Sequence, residues 1–111
     1  MKDDDRKAAI AAYKKRRSTA GVYAVRCTIS GQAWIGQTLN LETIQNRIWF
    51  SLRTRGHSNR QLQSAWTAHG ADAFSFEPLE RLKEEELAYV RDTLLKERFV
   101  HWRSTLNGLV L

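Results

Sequence analysis

The stretch that decides the fold is GVYAVRCTISGQAWIG, residues 21–36. β-branched and aromatic side chains dominate its first half, and a Ser-Gly pair separates them from a second apolar run. Two such runs joined by a glycine-containing turn predict a β-hairpin. Gly21 and Gly36 stand at its two ends, where glycine in a strand indicates that a neighbouring group approaches the backbone closely.

Helical patterns follow the hairpin. Apolar residues recur at three- and four-residue steps over residues 41–54, which predicts an amphipathic helix. A shorter helix should come next, because Ser58 or Asn59 can cap its start and Gly70 can end it. A last helix is predicted from about residue 84 to residue 103. The tryptophans on these helices fall on apolar stripes and are expected to pack in the core; they are Trp49, Trp66 and Trp102.

The remaining segments complete the predicted architecture. Residues 74–76 alternate like a third strand, and Pro78 lacks an amide donor, which suits the edge of a sheet. Residues 3–17 run from acidic through alanine-rich to basic, the order that a helix dipole favours. We therefore expect a basic N-terminal helix over residues 1–19. Residues 20–111 should form one α+β domain, a small three-stranded antiparallel sheet flanked by helices.

The composition restricts the partners. Eighteen lysines and arginines oppose twelve aspartates and glutamates, for a net charge of +6. Such a field attracts polyanions, so DNA is the first partner to consider. Cys27 is the only cysteine, which excludes an intrachain disulfide and fits a reducing compartment. No apolar run approaches membrane-spanning length and no signal region is visible, so we expect a cytoplasmic protein without a membrane partner.

Two groups of basic residues are candidates for contact with a nucleic-acid backbone. The first closes the N-terminal helix, where a solvated helix end is an equally good interpretation. The second flanks the loop at residue 57, where three close cations favour a phosphate-binding strip. The predicted contacts are Lys14, Lys15, Arg16, Arg17, Arg53, Arg55 and Arg60.

Gly21-Val22-Tyr23 and Trp34-Ile35-Gly36 resemble the paired short motifs that name the GIY-YIG nuclease family. A later block, residues 57–80, resembles the segment that links the middle helices to the third strand in homing-endonuclease-like members. The resemblance covers roughly residues 20–108. It implies the same small sheet with helices, and hydrolysis of DNA phosphodiester bonds with Mg²⁺ or a similar divalent cation.

The resemblance also implies a set of catalytic residues. Tyr23 matches the tyrosine that helps to activate the attacking water. The position of the family arginine falls on Ile44, so Arg47, one helical turn further on, is the candidate cation. His57 lies where a polar residue supports the cleft. Asp92 matches the glutamate that holds the metal, and this chemistry needs a base, a fixed cation and a hard oxygen ligand.

Two departures from the family pattern bear on activity. Trp34 stands at the second-motif tyrosine, and its indole cannot replace a hydroxyl. Glu97 is an alternative metal ligand, but it points to a different side of the helix from Asp92. The predicted function is a metal-dependent DNA endonuclease of weak activity. The alternatives are a nucleic-acid-binding module that keeps the fold without catalysis and, third, a protein-interaction domain.

Overall fold

The structure is a computed structural model that describes residues 19–83 and 87–111. Residues 1–18 of the segment predicted as a basic N-terminal helix lie outside the described residues, and with them lie Lys14, Lys15, Arg16 and Arg17. None of the helices in the described part is long and apolar enough to cross a membrane.

The elements confirm the predicted α+β class and add one strand. In chain order they are β1 (Gly21–Cys27), β2 (Ala33–Thr38), α1 (Leu41–Arg53), α2 (Arg60–His69), β3 (Phe74–Arg81), α3 (Ala88–Leu106) and β4 (Leu109–Val110). A single 3₁₀ turn, Ala71–Ala73, joins α2 to β3. The sheet order is β3-β1-β2-β4, with the predicted hairpin at its centre.

The expectation of three antiparallel strands is wrong in one respect. β1 pairs antiparallel with both β2 and β3, as expected, but β4 pairs parallel with β2 through Trp34 to Leu109 and Ile35 to Val110. The sheet therefore has four strands and is mixed. A strand of two residues is too short to show the alternation on which strand prediction depends.

Strand β3 is longer than its sequence pattern indicated. It extends through Pro78 to Arg81, at the outer edge of the sheet. Pro78 lies opposite Tyr23, next to a register shift in the β1 to β3 pairing. The edge position predicted for the proline is thereby confirmed, since a residue without an N–H is tolerated at an edge or bulge.

The sheet lies between two helical layers. Side chains alternate along a strand, so successive residues of β1 enter opposite faces. One face joins α1 and α2 in a core that includes Tyr23, Val25, Cys27, Trp34, Ile48, Leu52 and Leu62. The other face packs against α3 through Val22, Ala24, Ile35 and Leu95. Trp49, Trp66 and Trp102 pack against these two cores, as predicted.

Candidate functional site

A cleft of about 450 Å³ opens beside α1. Side chains from β1, β2, α1, the loop after α1, α3 and β4 line it. Three of the predicted catalytic residues, Tyr23, Arg47 and His57, lie in its wall. Elements distant in sequence thus bring a phenol, a guanidinium and an imidazole to one place.

Tyr23 is held in the cleft by its neighbours on the sheet. It lies directly opposite Gly36 in the β1 to β2 pairing. A Cβ at Gly36 would overlap the Tyr23 ring and hydroxyl, so the glycine makes the room that the ring occupies. Phe76 stacks on the other side, with ring centroids 5.2 Å apart. The close approaches predicted for Gly21 and Gly36 are both confirmed.

The environment of Tyr23 keeps its hydroxyl protonated. Burial raises the pKa of Tyr23 to about 12, although the nearby Arg47 charge acts in the opposite direction. At neutral pH the hydroxyl is therefore a hydrogen-bond donor to any anion in the cleft.

Arg47 supplies the positive charge of the cleft. It lies on the exposed side of α1, and it forms no ion pair within residues 19–83 and 87–111. Ile44, one turn earlier, also lines the cleft while it packs against the core. The position at which the resemblance expects an arginine is thus apolar, and Arg47 carries the cation at this wall.

His57 is oriented by its own loop. The backbone N–H of Asn59 donates to His57 Nδ1 at 3.0 Å, and the backbone N–H of His57 donates to Gln63 Oε1 at 3.2 Å. Because Nδ1 accepts, the proton of the neutral ring is on Nε2. Burial lowers the pKa of His57, which favours that neutral ring near pH 7. His57 therefore also presents a donor.

Asp92 does not join the other three residues. It lies on α3 with its side chain 59% exposed, pairs with Arg91 at 3.1 Å, and is absent from the cleft wall. Glu97, the alternative ligand, is also absent from that wall. The side chain that α3 presents to the cleft is Phe99.

The cleft does not fit a divalent cation of the kind that the resemblance implies. No aspartate or glutamate of the described residues lines it, and the described residues contain no group of three potential metal ligands. Its side-chain oxygens belong to Tyr23, Gln37, Ser51 and Ser58. Mg²⁺ is usually bound through one or two carboxylates, and these neutral groups supply none.

Trp34 lies in the core and not in the cleft. It is fully buried, packs near Phe74 with ring centroids 6.4 Å apart, and its Nε1–H has no hydrogen-bond acceptor. Trp34 therefore does not replace the hydroxyl that the resemblance expects at this position.

The predicted phosphate-binding strip surrounds the His57 loop. Arg53 ends α1, Arg55 follows in a left-handed conformation with φ of 61°, and Arg60 begins α2. All three are exposed, and none forms an ion pair with another described residue. They lie outside the cleft wall.

Two solved structures resemble this chain. The catalytic domain of homing endonuclease I-TevI has a TM-score of 0.68 and 25% identity, over 83% of this chain and 97% of that domain. A mutant of the catalytic domain of intron endonuclease I-TevI has a TM-score of 0.67 and 26% identity, over 80% and 84% of the two chains. No protein-family model matches the chain, and no curated protein matches it. The fold match supports a nuclease kind of function.

Proposed function

We propose that this chain, which has the fold of a GIY-YIG nuclease catalytic domain, binds DNA with one phosphodiester in the cleft. The observation that carries the proposal is the character of the cleft wall. Tyr23, Arg47 and His57 all present donors, and no aspartate or glutamate side chain of the described residues lines the cleft to compete for them. A phosphodiester offers negative charge and acceptor oxygens, which these three donors complement.

The surrounding charge supports the same partner. The chain carries a net charge of +6. Arg53, Arg55 and Arg60 are exposed on both sides of His57 in the sequence. Contacts of arginine with phosphates give affinity and orientation but carry no sequence information. Binding is therefore expected to tolerate most DNA sequences.

A pair of charge-matched variants tests the proposal. Val110 lines the cleft and is 48% exposed, whereas Val100 is 54% exposed on α3 and lies outside the cleft. Val110→Glu and Val100→Glu change the net charge equally, so only their positions differ. We expect Val110→Glu to weaken binding of a labelled duplex by about tenfold, and Val100→Glu to change it little, as measured by fluorescence anisotropy. Equal effects of the two variants would contradict binding in the cleft.

Hydrolysis of the bound phosphodiester is the second candidate function. It is favoured by the fold match and by Tyr23 and Arg47 in one cleft. Arg47 would stabilise the negative charge that develops on the phosphate, and the Tyr23 oxygen would orient an attacking water. Because no aspartate or glutamate of the described residues lines the cleft to hold Mg²⁺, we propose that cleavage is weak.

Nicking of supercoiled plasmid, with and without Mg²⁺, tests this second candidate. We expect slow nicking by the wild type and none by Tyr23→Phe, which removes one hydroxyl and little volume. Circular dichroism of the variant should match the wild type. Because Tyr23→Phe also removes one donor to the phosphodiester, nicking is compared at protein concentrations that saturate the plasmid. Efficient nicking by the wild type would show that the cleft is a fully competent site. Unchanged nicking by Tyr23→Phe would remove the tyrosine from catalysis.

A further inference from the structure

Helix α1 exposes one large aromatic side chain in its last turn. Phe50 is 63% exposed, while the buried residues of the same helix are Leu41, Ile48 and Leu52. A phenyl ring in this position makes no contribution to the core. Burying it against another surface would recover hydrophobic free energy that the isolated domain does not gain.

Two unpaired cations flank this ring. Arg47 and Arg53 lie three residues before and three residues after Phe50, a spacing that places neighbours on one side of a helix. Neither arginine forms an ion pair in the part of the chain that the structure describes. The partner that fits this surface has an apolar group to cover Phe50 and an anionic group on each side to pair with the two arginines.

The two arginines also border two different recesses. Arg47 lines the cleft, and Arg53 lines a second cavity of about 270 Å³ together with Trp49 and Trp66. At 100° per residue, the cleft side and the cavity side of α1 fall on either side of the buried stripe, and Phe50 lies opposite that stripe. A strand that crosses α1 from one recess to the other must pass over Phe50.

The spacing suits a nucleic-acid strand. Arg53 follows Arg47 by six positions, which is about 9 Å along the helix axis. On the order of one or two nucleotides of a single strand span that distance, so phosphates can reach both guanidinium groups while a base lies between them. Aromatic side chains stack on any unpaired base, because every base has a π-face.

We propose that Phe50 is a nucleobase-stacking residue for an unpaired DNA base, with the adjacent phosphates at Arg47 and Arg53. The inference deepens the proposed function and rests on it, because the same strand places a phosphodiester in the cleft. It predicts that the domain prefers single-stranded or locally opened DNA to an intact duplex.

Two oligonucleotide probes separate base stacking from phosphate binding. One is a labelled single strand with ordinary bases, and the other has the same length with abasic residues throughout. The protein variants are Phe50→Ala, Phe50→Trp as the stacking-competent replacement, and Tyr89→Ala as the control. Tyr89 is 71% exposed on α3, and it does not line the cleft. Because Phe50 and Tyr89 are exposed, neither alanine variant should unfold the domain.

We expect Phe50→Ala to weaken binding of the ordinary single strand by about tenfold. Binding of the abasic strand should not change, Phe50→Trp should bind as well as the wild type, and Tyr89→Ala should have no effect. If Phe50→Ala binds the ordinary strand as tightly as the wild type, the stacking role is overturned while the proposed function stands. An equal loss on both probes would assign Phe50 to another role. If the wild type binds neither probe, the stacking proposal is overturned, and the duplex measurement described above decides the proposed function separately.

Discussion

The cleft and the contact between β3 and α3 both present nitrogen or oxygen donors, but the donors meet different partners. At the β3 to α3 contact, Arg98 Nε and Trp102 Nε1 both donate to Glu80 Oε1, at 2.7 and 2.8 Å. Burial would raise the pKa of Glu80, but these two hydrogen bonds together with the nearby Arg98 and His101 hold the pKa below its ordinary value. This arrangement joins a strand to a helix.

The cleft has the donors, but no acidic side chain of the described residues lines it to accept from them. Arg47 has no carboxylate partner in the described part of the chain, and Tyr23 and His57 also present hydrogens. An arginine by itself therefore does not identify a functional site. An arginine whose charge is neutralised within the fold stabilises the fold, whereas one left without a counter-charge is available to a polyanion.

The largest expected effect is the response of DNA binding to salt. If Arg47, Arg53, Arg55 and Arg60 each contact a phosphate, duplex affinity should fall about a hundredfold between roughly 50 and 200 mM salt. Anisotropy titrations at several salt concentrations measure the slope. Because Arg98 is paired with Glu80, it should not contribute to the salt dependence of DNA affinity. Arg98→Gln should therefore leave the slope unchanged. Affinity independent of salt would remove the electrostatic account of the cleft.

A smaller effect is expected on stability when the room for Tyr23 is removed. Gly36→Ala places a Cβ where the Tyr23 ring lies, while a Cβ at Gly56 would meet no atom closer than 3.7 Å. Overpacking of this kind costs roughly 1–3 kcal/mol. Urea unfolding should therefore show a clear loss for Gly36→Ala relative to Gly56→Ala. Equal stability of the two variants would mean that the Tyr23 position is not fixed by Gly36.

The smallest effect concerns the pH dependence of stability. Burial lowers the pKa of His57 below its value in the unfolded chain, so the unfolded chain binds the proton more readily. The contribution is fully present above the unfolded pKa, about 6.5, and is lost as pH falls from there through the lower folded pKa. His57→Asn should flatten the decline of stability between about pH 7 and pH 5, as followed by thermal unfolding. An unchanged decline would show that the imidazole is not buried enough to matter.

Much of the fold could be predicted because local patterns and tertiary structure agree. The alternation at residues 21–36 and the periodicity at residues 41–54 correspond to the central hairpin and to α1. Once these elements are in place, Tyr23 and Arg47 lie near each other, because β1 and α1 pack on one face. The two-residue β4 could not be found, since its pairing depends on where α3 ends and returns to the sheet.

The place of Asp92 could not be deduced from the sequence. Asp92 and Phe99 are seven residues apart, so they share a side of α3, but about 10 Å of helix axis separates them. Which turn of a helix meets a cleft is decided by the packing of the whole helix. Here Phe99 meets the cleft, and Asp92 lies two turns away in an ion pair with Arg91. The fold and the donors were accessible to sequence reasoning, whereas the position of the acid was not.

The most direct measurement compares DNA affinity of Arg47→Gln and Arg98→Gln at one fixed salt concentration. Both variants remove one positive charge from a helix. If the cleft holds a phosphodiester, Arg47→Gln should weaken duplex binding about tenfold, the loss expected for a hydrogen bond to a charged group, with little change in melting temperature. Arg98→Gln should lower the melting temperature and bind DNA within about twofold of the wild type. Wild-type affinity for Arg47→Gln, or the same loss for both variants, would contradict a phosphodiester site in the cleft.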